Sequence, residues 1–129
     1  TATPDEQQHL LLGEDDRVVA TERALLANGV TVAFSHDSIP LAVLPNDFAI
    51  DTITGSLFGL LESHGVVPRT AVTTIHAATG PGIGWGDVPE DSVYSLLKQT
   101  HYTVTGQPVL RSWTYFIEGR FQFSILRTR

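Results

Sequence analysis

Along most of this chain hydrophobic and polar positions alternate with a period of two, the spacing of half-buried strands. Arg17 to Leu26 is the first strand-like run. Ala27-Asn28-Gly29 follows it with residues that tolerate the positive φ of a tight hairpin turn. Val30 to Ser38 then returns as a second strand, and Pro40 ends it. Arg69 to Ala78 alternates again, with Val72, Thr74, His76 and Ala78 on one face and Ala71, Thr73, Ile75 and Ala77 on the other. Val93 to Thr103, a turn at Thr105-Gly106, and Gln107 to Ile117 predict a second hairpin. A last strand is predicted over Arg120 to Arg127, after a turn at Gly119.

Helical spacing occurs in two places. Pro4 to Leu12 reads as a short helix with Thr3 as N-cap, Pro4 in the first turn and Gly13 as the stop. Gly55 to His64 is amphipathic, because Leu57, Leu60, Leu61 and His64 fall at i, i+3, i+4 and i+7. Thr54 can cap its start, and Gly65 stands where a left-handed cap belongs. Pro45 to Ile53 predicts a turn plus a helical piece, and the glycines of Gly80 to Gly86 a loop. Strands in runs, with helices set apart, predict an α+β fold on an antiparallel sheet. The two hairpins also echo one another. Gly106 and Gly29 differ by 77 (106 − 29), and that offset pairs Val32 with Val109, Ser35 with Ser112, Ser38 with Tyr115 and Glu22 with Gln99.

Composition narrows what such a fold can do. At 129 residues the chain, 1–129, fits one domain. Its formal charge is −6, with eight Lys and Arg, half of them from Arg111 onward. A surface that neutralises a run of phosphates needs a basic face, so this chain is not expected to bind nucleic acid unaided. The absence of cysteine excludes disulfides, thiolate metal sites and cysteine nucleophiles. No apolar run is long enough to span a bilayer, and no charged-then-apolar leader opens the chain. A cytoplasmic protein with no membrane contact is the expectation.

Candidate chemistry is sparse. His9, His36, His64, His76 and His101 are widely spaced and form no HExxH pattern, so no metal site is predicted. No GxSxG elbow surrounds Ser56, which reads either as a helix cap or as a residue holding a polar ligand at the helix N-terminus. Gly80-Pro81-Gly82-Ile83-Gly84 lacks the Lys-Ser/Thr ending of a phosphate cradle, and loop chemistry is the better reading. Arg23 and Glu22 lie on opposite faces of an otherwise uncharged strand, so one of them points inward. A buried arginine needs a carboxylate or an anionic ligand, and structural pairing is the commoner case.

Several segments, in this order and spacing, resemble the UTRA domain, the effector-binding half of HutC/FarR-type regulators of the GntR family. They are Thr21-Glu22-Arg23 before Asn28-Gly29, Ser38-Ile39-Pro40, and Gly55 to Gly65 (GSLFGLLESHG). Gly106-Gln107-Pro108-Val109, Ser112 to Phe116 (SWTYF) and Phe121 to Arg127 (FQFSILR) complete the set. The resemblance covers essentially the whole chain. It implies a chorismate-lyase-like α+β fold, a pocket for a small-molecule effector, a homodimer, and DNA contact only through an N-terminal winged helix-turn-helix absent from this chain. It implies no cofactor and no catalysis. The implied ligand contacts are Arg23, Ser35, Ser56, Leu57 and Tyr115. At three positions the chain departs from the family pattern. Leu25 stands for a second arginine, Ser35 for a glutamate, and Leu110 for the last residue of a Pro-Val-Glu. Losing one cation and two carboxylates should weaken recognition of a phosphorylated amino sugar. The shared fold alone suggests an alternative, a chorismate-lyase-like enzyme acting on a small carboxylated substrate.

Overall fold

The computed structural model describes residues 1–45, 57–80, 83 and 92–119. Two helices and five strands run α1 (Pro4–Leu10), β1 (Val18–Ala27), β2 (Val30–Pro40), α2 (Leu57–Ser63), β3 (Thr70–Thr79), β4 (Val93–Tyr102) and β5 (Pro108–Ile117). A 3₁₀ turn over Leu41–Val43 follows β2. The strands make one antiparallel sheet in the order β1-β2-β5-β4-β3, an α+β architecture. The strand expected over Arg120 to Arg127, and most of the helical piece expected after Pro45, lie outside the described residues.

The two hairpins share more than their turns. Asn28 (φ 51°) and Gly29 (φ 78°) close the first in the left-handed backbone of a type I′ turn. Leu25 pairs with Ala33 but Leu26 with Thr31, which leaves Val32 as an extra residue in β2. In the second hairpin His101 pairs with Leu110 but Tyr102 with Pro108, which leaves Val109 extra in β5. Val32 and Val109 are separated by the same 77 residues (109 − 32), so the offset carries a β-bulge as well as a turn. Because β2 and β5 pair at the centre of the sheet, the hairpins sit side by side about a local pseudo-twofold.

Gly29→Ala should cost about 1 kcal/mol, the penalty of a left-handed backbone for an L side chain. Nothing lies within 4 Å of the added Cβ, so sterics add nothing. Urea denaturation would measure it, and an unchanged midpoint would show that the turn can switch type at no cost.

Helix α1 starts on a capping box: Glu6 N–H donates to Thr3 Oγ1 at 3.2 Å, and Thr3 N–H to Glu6 Oε1 at 2.8 Å. The helix stops at Leu10, two residues before the Leu12 that the pattern predicts. Leu11 takes left-handed backbone (φ 56°), and Leu12 N–H closes back onto the Gln7 carbonyl at 3.0 Å. Leu11 accepts that conformation because stopping there buries Leu10 while Leu11 itself points into solvent.

Alternation gives the sheet two unlike faces. One carries Phe34, Tyr94, Leu96, Tyr115 and Ile117, which with Ile83 form an apolar cluster. Helix α1 packs against this side of β5. At one end of the other face Leu57 and Leu61 of α2 meet Val19, Ile39 and Leu110 in a second apolar cluster. Beyond that end the face turns polar.

Candidate functional site

The polar part of that second face lies on the two central strands. Ser35 is registered opposite Thr114, and Asp37 opposite Ser112, with all four side chains on the same side of the sheet. Each is buried. Ser112 Oγ donates to Asp37 Oδ1 at 2.6 Å and Ser35 Oγ to Asp37 Oδ2 at 3.0 Å, while Ser35 and Thr114 hydroxyls lie 3.2 Å apart. On β1, Arg23 pairs with Ser35 in register and brings Nη2 to 3.7 Å from Asp37 Oδ2. Gln99 occupies the corresponding place on the far side, beside Ser112 on β4. The shorter first turn makes the outer-strand offset 76 (99 − 23) rather than 77.

These residues floor a cleft of about 230 Å³, at the small end of metabolite-sized cavities. Leu57 and Phe58 from α2 wall one end, and Leu25 and Phe116 line it elsewhere. The Phe58 ring meets His101 edge-on at 5.0 Å. Burial lowers the His101 pKa, against the opposing pull of the Asp37 charge. The imidazole therefore stays neutral to lower pH than free histidine does.

A histidine that resists protonation only when folded has a defined effect on stability. The unfolded chain takes up the proton first, so unfolding free energy should fall as pH drops through about 6.5 toward the lower folded value. Denaturation at pH 7.5, 6.5 and 5.5 should give a steeper decline for the native chain than for His101→Gln. Parallel curves would remove His101 as the source.

A second cleft, of about 300 Å³, lies under α1 on the opposite face. Its charged groups are committed to holding the helix. Arg111 binds Asp5 through Nε and Nη2, both at 3.0 Å, and Thr100 through Nη1 at 3.0 Å. Trp113 Nε1 also donates to Asp5, and Ser38 Oγ donates to Glu6. This cleft is structural.

Of the five residues expected to contact ligand, Arg23, Ser35 and Leu57 line the cleft together. Tyr115 does not. Strand alternation puts its neighbour Thr114 on the cleft side and Tyr115 in the apolar cluster behind, edge-on to Tyr94 at 6.4 Å. Burial there raises the Tyr115 pKa. Ser56 lies outside the described residues. Asp37, Thr114, Gln99 and His101 were not anticipated. Asp37 was within reach of pattern reasoning, since it stands two residues from Ser35 on one strand and therefore on one face. Among the described residues no cluster of three or more His, Asp and Glu could hold a metal ion, and no helix is long and apolar enough to cross a membrane.

Residues 1–122 match the UTRA domain family. Among solved structures, the chain is similar to a GntR-family transcriptional regulator from Enterococcus faecalis V583 (23% identity, TM-score 0.82, covering 98% of this chain and 92% of that one). It is likewise similar to the effector domain of PhnF from Mycobacterium smegmatis (20% identity, TM-score 0.81, 100% and 81%). The longer PhnF structure matches at 19% identity and TM-score 0.84, and this chain, covered in full, spans 59% of it. At these identities the likeness is one of fold. No curated protein matches the sequence.

Proposed function

The chain belongs to the UTRA domain family of ligand-sensing regulatory domains, and from that premise we propose that it is the effector-sensing and dimerisation domain of a HutC-type, GntR-family transcription regulator of a bacterial cytoplasm. A small metabolite in the Arg23–Asp37 cleft would change the operator affinity of a DNA-binding domain upstream. The polar floor carries this reading. Buried hydroxyls and carboxylates lose water and must be compensated by hydrogen bonds, so a polar patch on a buried sheet face calls for a role. The buried polar groups under α1 tie that helix to the sheet, whereas the described contacts of Ser35, Asp37, Ser112 and Thr114 run to one another and to Arg23 and dock no helix.

Other observations agree. The acidic charge leaves DNA contact to another domain. The length of PhnF relative to this chain leaves room for one. β3 is an exposed edge strand, with Val72 and Ile75 at 61% and 70% on its two faces, and pairing with a second copy along that edge would cover both. The cleft also has a physical path to α1. On β2, Asp37 faces the cleft while its neighbour Ser38 holds Glu6; on β5, Ser112 faces the cleft while Arg111 holds Asp5. A ligand that shifts the central strands therefore moves the seat of the N-terminal helix. It changes DNA affinity only by as much as it prefers one arrangement over the other.

The reading includes no catalysis. In it both serine hydroxyls that meet Asp37 are parts of a binding floor, with the carboxylate fixing their orientation. A thermal-shift screen against sugars, sugar phosphates, amino acids and organic acids should yield a ligand that stabilises the folded chain. The same compound should change operator binding by the full-length regulator. Pyruvate release from chorismate would point to the lyase alternative instead.

A further inference from the structure

We infer that the effector enters with a hydrogen-bond donor foremost, an ammonium or a set of hydroxyls on a hydroxylated frame, and that its buried end is neither phosphate nor carboxylate. This rests on the sensor reading above and adds the chemistry of the ligand.

The inference comes from counting hydroxyl hydrogens. Each serine or threonine hydroxyl has one. Ser112 gives its hydrogen to Asp37 Oδ1, and Ser35 gives its own to Asp37 Oδ2. Ser35 then has none left, so the 3.2 Å contact with Thr114 is a donation from Thr114 to Ser35. All three hydrogens point inward, along two branches that meet at the carboxylate. What the floor turns toward the cleft is lone pairs, on Ser112 Oγ, Thr114 Oγ1 and Asp37.

Charge leads to the same conclusion. Among the described residues lining the cleft, Arg23 is the only Lys or Arg, and it already stands 3.7 Å from Asp37. A phosphate would bring negative charge and acceptor oxygens to a floor that offers acceptors beside a carboxylate. An ammonium brings three donors and a compensating charge. A hydroxyl group can donate downward while accepting from Arg23, Gln99 or the N–H of the neutral His101 ring, lining side chains that do carry donors.

Titration calorimetry with matched panels would decide the matter. The panels are amino sugars and amino alcohols, neutral sugars and polyols, sugar acids, and sugar phosphates with inorganic phosphate, each run on the native chain and on Asp37→Asn. Saturable binding confined to the first two panels is expected, and the panel that binds separates ammonium from hydroxyl. In Asp37→Asn the amide nitrogen donates to one serine and turns that hydroxyl's hydrogen into the cleft. Amine affinity should then fall by roughly tenfold or more, the worth of one charge-assisted hydrogen bond, and phosphates should gain. Should that variant fail to fold, Ser112→Ala keeps the carboxylate, and phosphate should still not bind. Native-chain binding of phosphates or sugar acids would overturn the inference and leave the sensor reading standing. Silence from every panel on the native chain would sink both.

Discussion

An Arg23→Ala chain should fold and lose the thermal shift given by whichever effector the screen identifies. The guanidinium lies in the wall of the cleft, half-exposed, and is balanced by Asp37 at 3.7 Å. The contact is long, and Asp37, although buried, keeps both serine hydrogen bonds when the guanidinium goes, so the unliganded melting temperature should move little. The effect on binding is larger. Arg23 brings the cleft a positive charge and a planar fork of donors for the acceptor groups of a hydroxylated ligand. Arg23→Lys should restore part of the response, since lysine keeps the charge and loses the fork. If the shift survives in Arg23→Ala, Arg23 is no ligand contact and the cleft works through its floor alone.

Replacing Asp5 with alanine should have the largest effect on stability, about 3 kcal/mol, because it strands a buried cation. Arg111 is only 6% exposed and makes two of its three side-chain hydrogen bonds to Asp5. Trp113 loses its acceptor as well. The Asp5 side chain keeps 29% exposure, which puts the cost toward the low end for a broken buried pair. Asp5→Asn keeps one acceptor oxygen for Arg111 and should cost less. Burial by itself would raise the Asp5 pKa, but the hydrogen bond and charge of Arg111, with His9 and Trp113, leave it below the ordinary aspartate value. The stabilisation is therefore complete above that value and is lost as pH falls through the lower folded one. Urea denaturation at pH 7 and at pH 3 checks both parts. A cost under about 1 kcal/mol at pH 7 would mean that water reaches Arg111 easily and that α1 is held by Leu10 and Glu6. In the full-length regulator the same variant should bind effector yet respond weakly at the operator, since the helix would no longer follow the sheet.

Much of this fold follows from local rules. Asn28-Gly29 can close a two-residue hairpin with few alternatives, Thr3 and Glu6 cap a helix within three residues of each other, and alternation places every strand between Val18 and Ile117. The offset between the hairpins was also visible, down to the Val32 and Val109 that become bulges, because a repeated turn and a repeated valine leave a trace in the order of residues. That one of Glu22 and Arg23 points inward was recognisable, because the two are neighbours on an otherwise uncharged strand segment.

The cleft was less accessible, and the reason is pairing. Which residue faces Ser35 across the sheet depends on the register between β2 and β5, which are separated by two helical segments and two other strands. A slip of one residue would turn Tyr115 into the cleft and Thr114 out of it. No local feature of Ser112-Trp113-Thr114-Tyr115 distinguishes the two registers. The amino-acid order thus determined the elements, the turns and the acidic, cysteine-free character of the surface, all of which depend on neighbours within a few residues. Only tertiary structure decided that two branches of hydroxyls would meet at Asp37 and that Asp5 would reach Arg111, because contacts across 75 and 106 positions are set by how strands align and not by what each strand contains.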